Sequence, residues 1–242
     1  MKKALTSCIL MLTVITAQAQ WWGSTDRIRG NSNVVTETRN VGSFDQVGVG
    51  GSFDVILEAG KEGEITVRAE SNLMEYIITE TRGTKLIIKI KDNTNFKTND
   101  KIIVTVPFED IDAVSLGGSG DVVSRSVIRA DRFKASLAGS GDMNLEVQAT
   151  TVKSSLAGSG DLNLRGTTQD IEISMAGSGD IDASDLKARN AEVSMSGSGD
   201  IKLTCDGGEL KARISGSGDI RYKGTPSRED IKVAGSGSVK SM

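Results

Sequence analysis

The sequence predicts an all-β chain whose larger part is a parallel β-helix, a solenoid of stacked coils of about 19–20 residues. Three observations carry this. A Gly-Ser-Gly-Asp motif recurs in tandem, the residues between copies alternate apolar and polar, and no repeat segment has the i, i+3, i+4 spacing of a helix. Aromatic residues make up only 4% of the chain and Gly reaches 28 residues, so small aliphatic side chains must fill the core.

The motif fixes the coil. Its glycine pairs are Gly118/Gly120, Gly139/Gly141, Gly158/Gly160, Gly177/Gly179, Gly197/Gly199 and Gly216/Gly218, and a last copy, Gly235/Gly237, ends on Ser238 where the others have Asp. The aspartates Asp121, Asp142, Asp161, Asp180, Asp200 and Asp219 step by 21, 19, 19, 20 and 19 residues. Ile171, Ile173, Met175 and Ile181 share one parity, the period-2 signature of a strand with one face buried. A single unit this short cannot bury that face alone, whereas stacked units can. A sandwich of hairpins is the rival architecture, but it would need varied turns, not the same one in every unit. With alternation continued through the turn, both glycines point inward, letting the coil bend sharply, and Ser and Asp form outward columns.

In chain order, residues 1–19 read as a secretory signal. Lys2 and Lys3 open it, a short apolar run follows, and Ala17-Gln18-Ala19 offers small-x-small cleavage, so the mature chain begins at Gln20. Leu5-Thr6-Ser7-Cys8 resembles a lipobox, but the apolar run lies on the wrong side of Cys8. Residues 20–33, with Trp21 and Trp22, read as a flexible lead. A denser β region covers 34–110, with strands expected at 53–57, 64–68, 85–90 and 101–106, one helical turn near 72–77 and a polar loop over 91–100. Residues 111–242 are the repeat. Gly50-Gly51-Ser52-Phe53-Asp54-Val55 echoes Gly117-Gly118-Ser119-Gly120-Asp121-Val122, which marks the first half as a diverged, longer-coiled relative of the second, suited to cap the stack.

Composition narrows the chemistry. There is no His, which removes the commonest general base and metal ligand. Loss of Lys2 and Lys3 takes the formal charge from −3 to −5, a poor match for nucleic acid. Cys205 is then the one cysteine, expected as a small buried thiol. No later stretch approaches ~18 consecutive apolar residues, so no transmembrane segment is expected after signal cleavage.

Ser43-Phe44-Asp45, Gly51-Ser52-Phe53-Asp54-Val55, Ala69-Glu70-Ser71-Asn72-Leu73, Thr84-Lys85-Leu86-Ile87-Ile88 and the Gly-Ser-Gly repeats together resemble the bacterial head GIN domain family, known as auto-transporter adhesins. The resemblance runs from about Val34 to the C-terminus. It implies a right-handed β-helix located in the periplasm or cell envelope, or secreted. It assigns no established activity.

The Asp column admits two readings. In one, a row of carboxylates binds a cation, with Ca²⁺ favoured by all-oxygen ligands, or a glycan. In the other, Asp and Ser serve the turn by accepting backbone N–H groups. The second is preferred, with no resident cofactor. Catalysis would need two carboxylates in contrasting environments, which six equivalent positions do not offer. The expected function is therefore non-catalytic, adhesin-like binding of a glycan or an envelope or matrix protein through a repetitive polar face. The alternative is a polysaccharide lyase or hydrolase on the same scaffold. The sequence leaves oligomeric state open, although the last coil, around Val233 to Met242, presents an edge able to pair.

Overall fold

The computed structural model describes residues 27–242. The expected signal peptide, its expected cleavage site, and the expected lead as far as residue 26 lie outside the described residues. The fold is a solenoid-like β-helix of about 7 turns, and its repeat can be read from one coil. Asp142–Gly158 is a single extended stretch of 17 residues, yet its buried positions change parity. Met143, Leu145 and Val147 are buried on one side of Thr150, Val152, Ser154 and Leu156 on the other. A strand that alternates in and out can switch parity only by bending. Each coil thus has two arms facing each other across the core. Arm A follows the Asp of one Gly-Ser-Gly-Asp turn, and arm B leads into the next.

The coils stack in parallel register. Leu116, Leu137, Leu156, Met175, Met195, Ile214 and Val233 form one column on arm B. All but Val233 are buried. Departures from the 19-residue step are absorbed locally. Val123 pairs with Asn144 but Ile128 with Val147, so the two extra residues of that coil bulge out between them. The extra residue before Asp200 is taken up between Asp182 and Asp185, which pair with Asn163 and Arg165.

The N-terminal half continues the stack and then closes it. Gln46–Gly51 pairs in parallel with Ala113–Gly118 and with Lys85–Ile90, and Phe53–Ala59 pairs in parallel with Asp121–Ser124 and with Ile102–Phe108. Gly51 registers with Gly118 and Asp54 with Asp121, so the echo seen in the sequence is a true coil. Beyond it the strands turn antiparallel. Ile77–Arg82 folds back on Lys85–Ile90, Glu64–Glu70 lies on Ile102–Phe108, and Val34–Asn40 lies on Glu64–Glu70. Arg39, on Val34–Asn40, donates to the carbonyl oxygens of Met74, at 2.9 Å, and Ile77.

The expected strands appear at Phe53–Ala59, Glu64–Glu70, Lys85–Ile90 and Ile102–Phe108, and the helical turn is a 3₁₀ turn at Met74–Tyr76. Two expectations need correction. Residues 28–33 do not hang free as part of a lead, and the 91–100 segment is not wholly loop: Ile28–Arg29 pairs in parallel with Phe96–Lys97. The anchor is Glu70. Its buried carboxylate accepts from Ser32 N–H at 2.6 Å, Thr98 Oγ1 at 2.8 Å, Asn99 N–H at 3.0 Å and Asn99 Nδ2 at 3.1 Å. Burial alone would raise its pKa, but these donors outweigh burial and hold it at about 2.

The opposite end is uncovered. Among the described residues no strand lies beyond Arg228–Gly235 and Val239–Ser241. No described helix is long and apolar enough to cross a membrane.

Candidate functional site

The Gly-Ser-Gly-Asp turns build one continuous ridge. Ser178 is exposed and Gly179 buried, as the alternation requires. The reason for glycine is nevertheless different from the inward pinch the alternation suggested, and the two glycines of each copy differ from one another.

The first glycine of each copy, at Gly118, Gly139, Gly158, Gly177, Gly197, Gly216 and Gly235, is required twice over. Its φ is positive, 142° at Gly177, a value that L residues rarely adopt. A Cβ on Gly177 would also meet Gly158 O at 2.1 Å. The second glycine, at Gly120, Gly141, Gly160, Gly179, Gly199, Gly218 and Gly237, takes no positive φ, so no special backbone bend accounts for it. It is glycine because the next coil down is too close. A Cβ on Gly179 would point along the stack and lie 2.0 Å from the carbonyl oxygen of Gly160. The same collision recurs between Gly141 and Gly120 O, Gly199 and Gly179 O, Gly218 and Gly199 O, and Gly237 and Gly218 O. At the first copy, Gly120 meets Phe53 O in the same way. Nor is the inward placement uniform: Gly141, Gly199 and Gly218 are buried, whereas Gly237, in the uncovered last coil, is only half-buried. The crowding lies between coils, not across the core. This closeness lets the Gly158 carbonyl accept two bonds from the next turn, from Ser178 N–H at 2.9 Å and Gly179 N–H at 3.2 Å.

The Asp column is a second ladder beside the backbone one. Oδ1 of Asp121 accepts the N–H of Asp142 at 3.3 Å, Asp142 that of Asp161 at 3.0 Å, and Asp161 that of Asp180 at 3.1 Å. Asp180 accepts from Asp200 at 2.7 Å and Asp200 from Asp219 at 3.0 Å. At the turn the preceding carbonyls are already engaged by Ser and Gly N–H groups. The carboxylate one coil earlier supplies the acceptor that the Asp N–H would otherwise lack. The donor was expected within the same turn, among neighbouring Ser hydroxyls, or in a bound cation; it is instead the equivalent residue of the next coil. Asp219 ends the series on Ser238, accepting from its N–H at 2.9 Å and its hydroxyl at 2.8 Å. The hydroxyl and that N–H hold the Asp219 carboxyl below the usual carboxylate range.

Cationic side chains balance the column at its ends. Lys101 Nζ lies 2.6 Å from Asp54, and the Arg221 guanidinium lies 3.7 Å from Asp200 and 3.6 Å from Asp219. Among the described residues no group of three or more carboxylates, thiols or imidazoles is arranged to hold a metal ion. Arg213 pairs with Asp230 at 2.5 Å, and Asp182 lies 3.9 Å from Lys202. Cys205 is fully buried, its Sγ 3.3 Å from the Arg189 carbonyl, and burial pushes the thiol pKa up.

Beside the ridge runs a strip of small side chains on the outer face of arm B. One column is Gly50, Gly117, Ala138, Ala157, Ala176, Ser196, Ser215 and Ala234. The next is Ser115, Ser136, Ser155, Ser174 and Ser194, followed by Arg213 and Lys232. Ala157, Ala176 and Ser196 are exposed, and no side chain of the first column extends past a methyl or hydroxyl. The eight residues of the first column, seven steps of ~4.8 Å apart, make the strip roughly 34 Å long. Charged residues border it, including Lys153 ion-paired with Glu172, and the turn serines Ser140, Ser159, Ser178, Ser198 and Ser217 line its other margin.

Two features escaped the sequence reading. Asp54 belongs to the Asp column, and the strip belongs to the site. Both left a signal: Asp54 in the Gly-Ser-Phe-Asp echo, and the strip in the Ser-x-(Ala/Ser) preceding Gly-Ser-Gly-Asp in the copies at 136–142, 155–161, 174–180 and 194–200.

Fold and site together define a repeat-built β-solenoid of adhesin type, with a stapled turn ridge and a flat outer face. The family model described as "putative auto-transporter adhesin, head GIN domain" matches residues 43–226, and the chain belongs to that family. Among solved structures, it is similar to one described as a "putative adhesin" from Bacteroides fragilis, at 22% identity and a TM-score of 0.83, covering 89% of this chain and 100% of that one. It is also similar to a "putative lipid binding protein" from Parabacteroides distasonis, at 28% identity and a TM-score of 0.72, covering 89% and 99%. A "putative adhesin" from Parabacteroides merdae shares 22% identity at a TM-score of 0.66, covering 89% and 99%. No curated protein matches the chain.

Proposed function

We propose that this is an exported, envelope-associated or secreted binding protein without catalytic activity, which holds an extended glycan or a matrix or envelope protein along the arm B strip. The observation that carries this reading is the strip itself. One column carries only Gly, Ala or Ser from Gly50 to Ala234, the column beside it is Ser from Ser115 to Ser194, and the turn hydroxyls flank both. Such a surface suits a long, regular polymer better than a compact small molecule, which a concave pocket would hold. Family membership points the same way.

The ridge carboxylates take the structural part. Each already accepts a backbone N–H, which favours the turn-device reading over a calcium site. Their uniform surroundings also disfavour the acid–base division that polysaccharide cleavage requires. Lipid is the less favoured ligand, because the space between the arms is filled by buried side chains such as Leu156, Leu164 and Met175. The test is binding of the mature protein to a glycan array, with and without Ca²⁺ and with lipid vesicles as the comparison. Calcium-independent retention of extended polysaccharides is expected. Binding to vesicles alone would overturn the reading.

A further inference from the structure

We infer that the uncovered C-terminal coil is a two-fold interface, on which a second copy of this chain docks tail to tail through Arg228–Gly235. In every earlier coil the inward positions of arm B are covered; Ala212 and Ile214 are 0% and 3% exposed. Their counterparts in the last coil, Ile231 and Val233, are 38% and 42% exposed, and Met242 is 52% exposed. The backbone is open at the same place. Lys134 N–H donates to Asp112 O of the preceding coil, and Asp230 occupies the equivalent position in the last coil. By strand alternation the N–H and C=O of Asp230 and Lys232 turn back to the stack, while those of Glu229, Ile231 and Val233 face outward with no strand to receive them.

The sequence of this edge is complementary to itself. In an antiparallel pair centred on Ile231, Ile231 meets its own copy across a hydrogen-bonded position and Glu229 meets Val233. Asp230 then meets Lys232 at the closer, non-hydrogen-bonded positions, twice by symmetry. Asp230 and Lys232 lie in the outer columns and Ile231 and Val233 in the inner ones, so opposite charges pair outside while the two cores join inside. Registers one residue either way lose the Asp–Lys match. The other end of the stack does not offer the same partner. It ends on the antiparallel strands Val34–Asn40 and Ile77–Arg82, and a two-fold contact uses the C-terminal edge of both copies, so the association closes as a dimer and does not grow head to tail.

Sedimentation equilibrium of the mature protein tests this, with melting followed by circular dichroism to confirm each variant is folded. A reversible dimer is expected. Ile231→Pro removes an N–H that the preceding coil does not use and should give a monomer. Lys232→Asp places like charges opposite each other and should raise the dimer dissociation constant by about tenfold or more. The exchange Asp230→Lys with Lys232→Asp restores the match and should restore the dimer. A wild-type monomer at all concentrations, a species larger than a dimer, or a dimer indifferent to Ile231→Pro would each overturn the inference.

Discussion

Oδ1 of Asp180 accepts the backbone N–H of Asp200 at 2.7 Å, so the side chain of one coil completes the main-chain hydrogen bonding of the next. One carboxylate oxygen accepts here, a role that the amide oxygen of Asn can take over. Asp161→Asn with Asp180→Asn should therefore change stability by under about 0.5 kcal/mol. Asp180→Ala, which leaves the Asp200 N–H without its acceptor, should cost about 1 kcal/mol. Calcium should leave the melting temperature of both proteins in place. A bound cation would instead stabilise by ~2.7 kcal/mol at one hundred times its dissociation constant, and titration of calcium during thermal melting reads the difference directly.

Gly179 carries a sharper expectation. Its backbone does not need a positive φ, so the cost of Gly179→Ala isolates the close approach of successive coils. With a Cβ directed at the Gly160 carbonyl, the stack must part locally, at a cost of about 3 kcal/mol. Ser178→Ala, one residue away on the exposed side, should cost under about 0.5 kcal/mol. Chemical denaturation of the two variants side by side measures the contrast, and equal midpoints would contradict the stacked-glycine geometry.

Ser154 offers a change in the favourable direction. Its hydroxyl is buried in arm B with no hydrogen-bond partner among the described residues, while Ala135 and Ile173 occupy the same column in the adjacent coils. Ser154→Ala removes the unpaired polar atom and should stabilise the protein by about 1 kcal/mol in denaturant unfolding.

Glu70 sets the acid limit of the N-terminal cap. Its folded pKa, about 2, lies below the ordinary value of 4.5, so its contribution to stability is complete above about pH 4.5 and is lost as pH falls through 2. Melting temperature should decline over that window, and less steeply in Glu70→Gln. That variant should also be less stable at neutral pH by about 1–3 kcal/mol, because donors from Ser32, Thr98 and Asn99 lose part of their partner.

The solenoid was legible in the sequence because the motif repeats at every coil and because period-2 alternation survives on both sides of it. Ile171, Ile173 and Met175 are buried as their spacing requires, and so are Ile181 and Leu162. What was not legible involved relations between coils. The partner of the Asp180 carboxylate lies 20 residues away and is fixed by register, not by local turn chemistry. The direction of the Gly179 Cα–H bond likewise depends on how closely two coils approach. The cap was visible only as a run of strands. Its antiparallel turn-back lies in a region without repeats to align, and the Arg39 bridge and the Glu70 anchor join residues 28 to 38 positions apart there.

The most direct test of the account is the binding of two variants to whichever extended glycan the wild-type protein retains. In one, Ala157→Arg with Ala176→Arg raises bulky side chains from the strip; in the other, Asp161→Asn with Asp180→Asn neutralises the middle of the ridge. Measured by isothermal titration calorimetry in the presence and absence of calcium, the first variant should lose binding and the second should keep it under both conditions. Loss of binding in the Asn variant, with the arginine variant unaffected, would contradict the account and transfer the site to the carboxylate ridge.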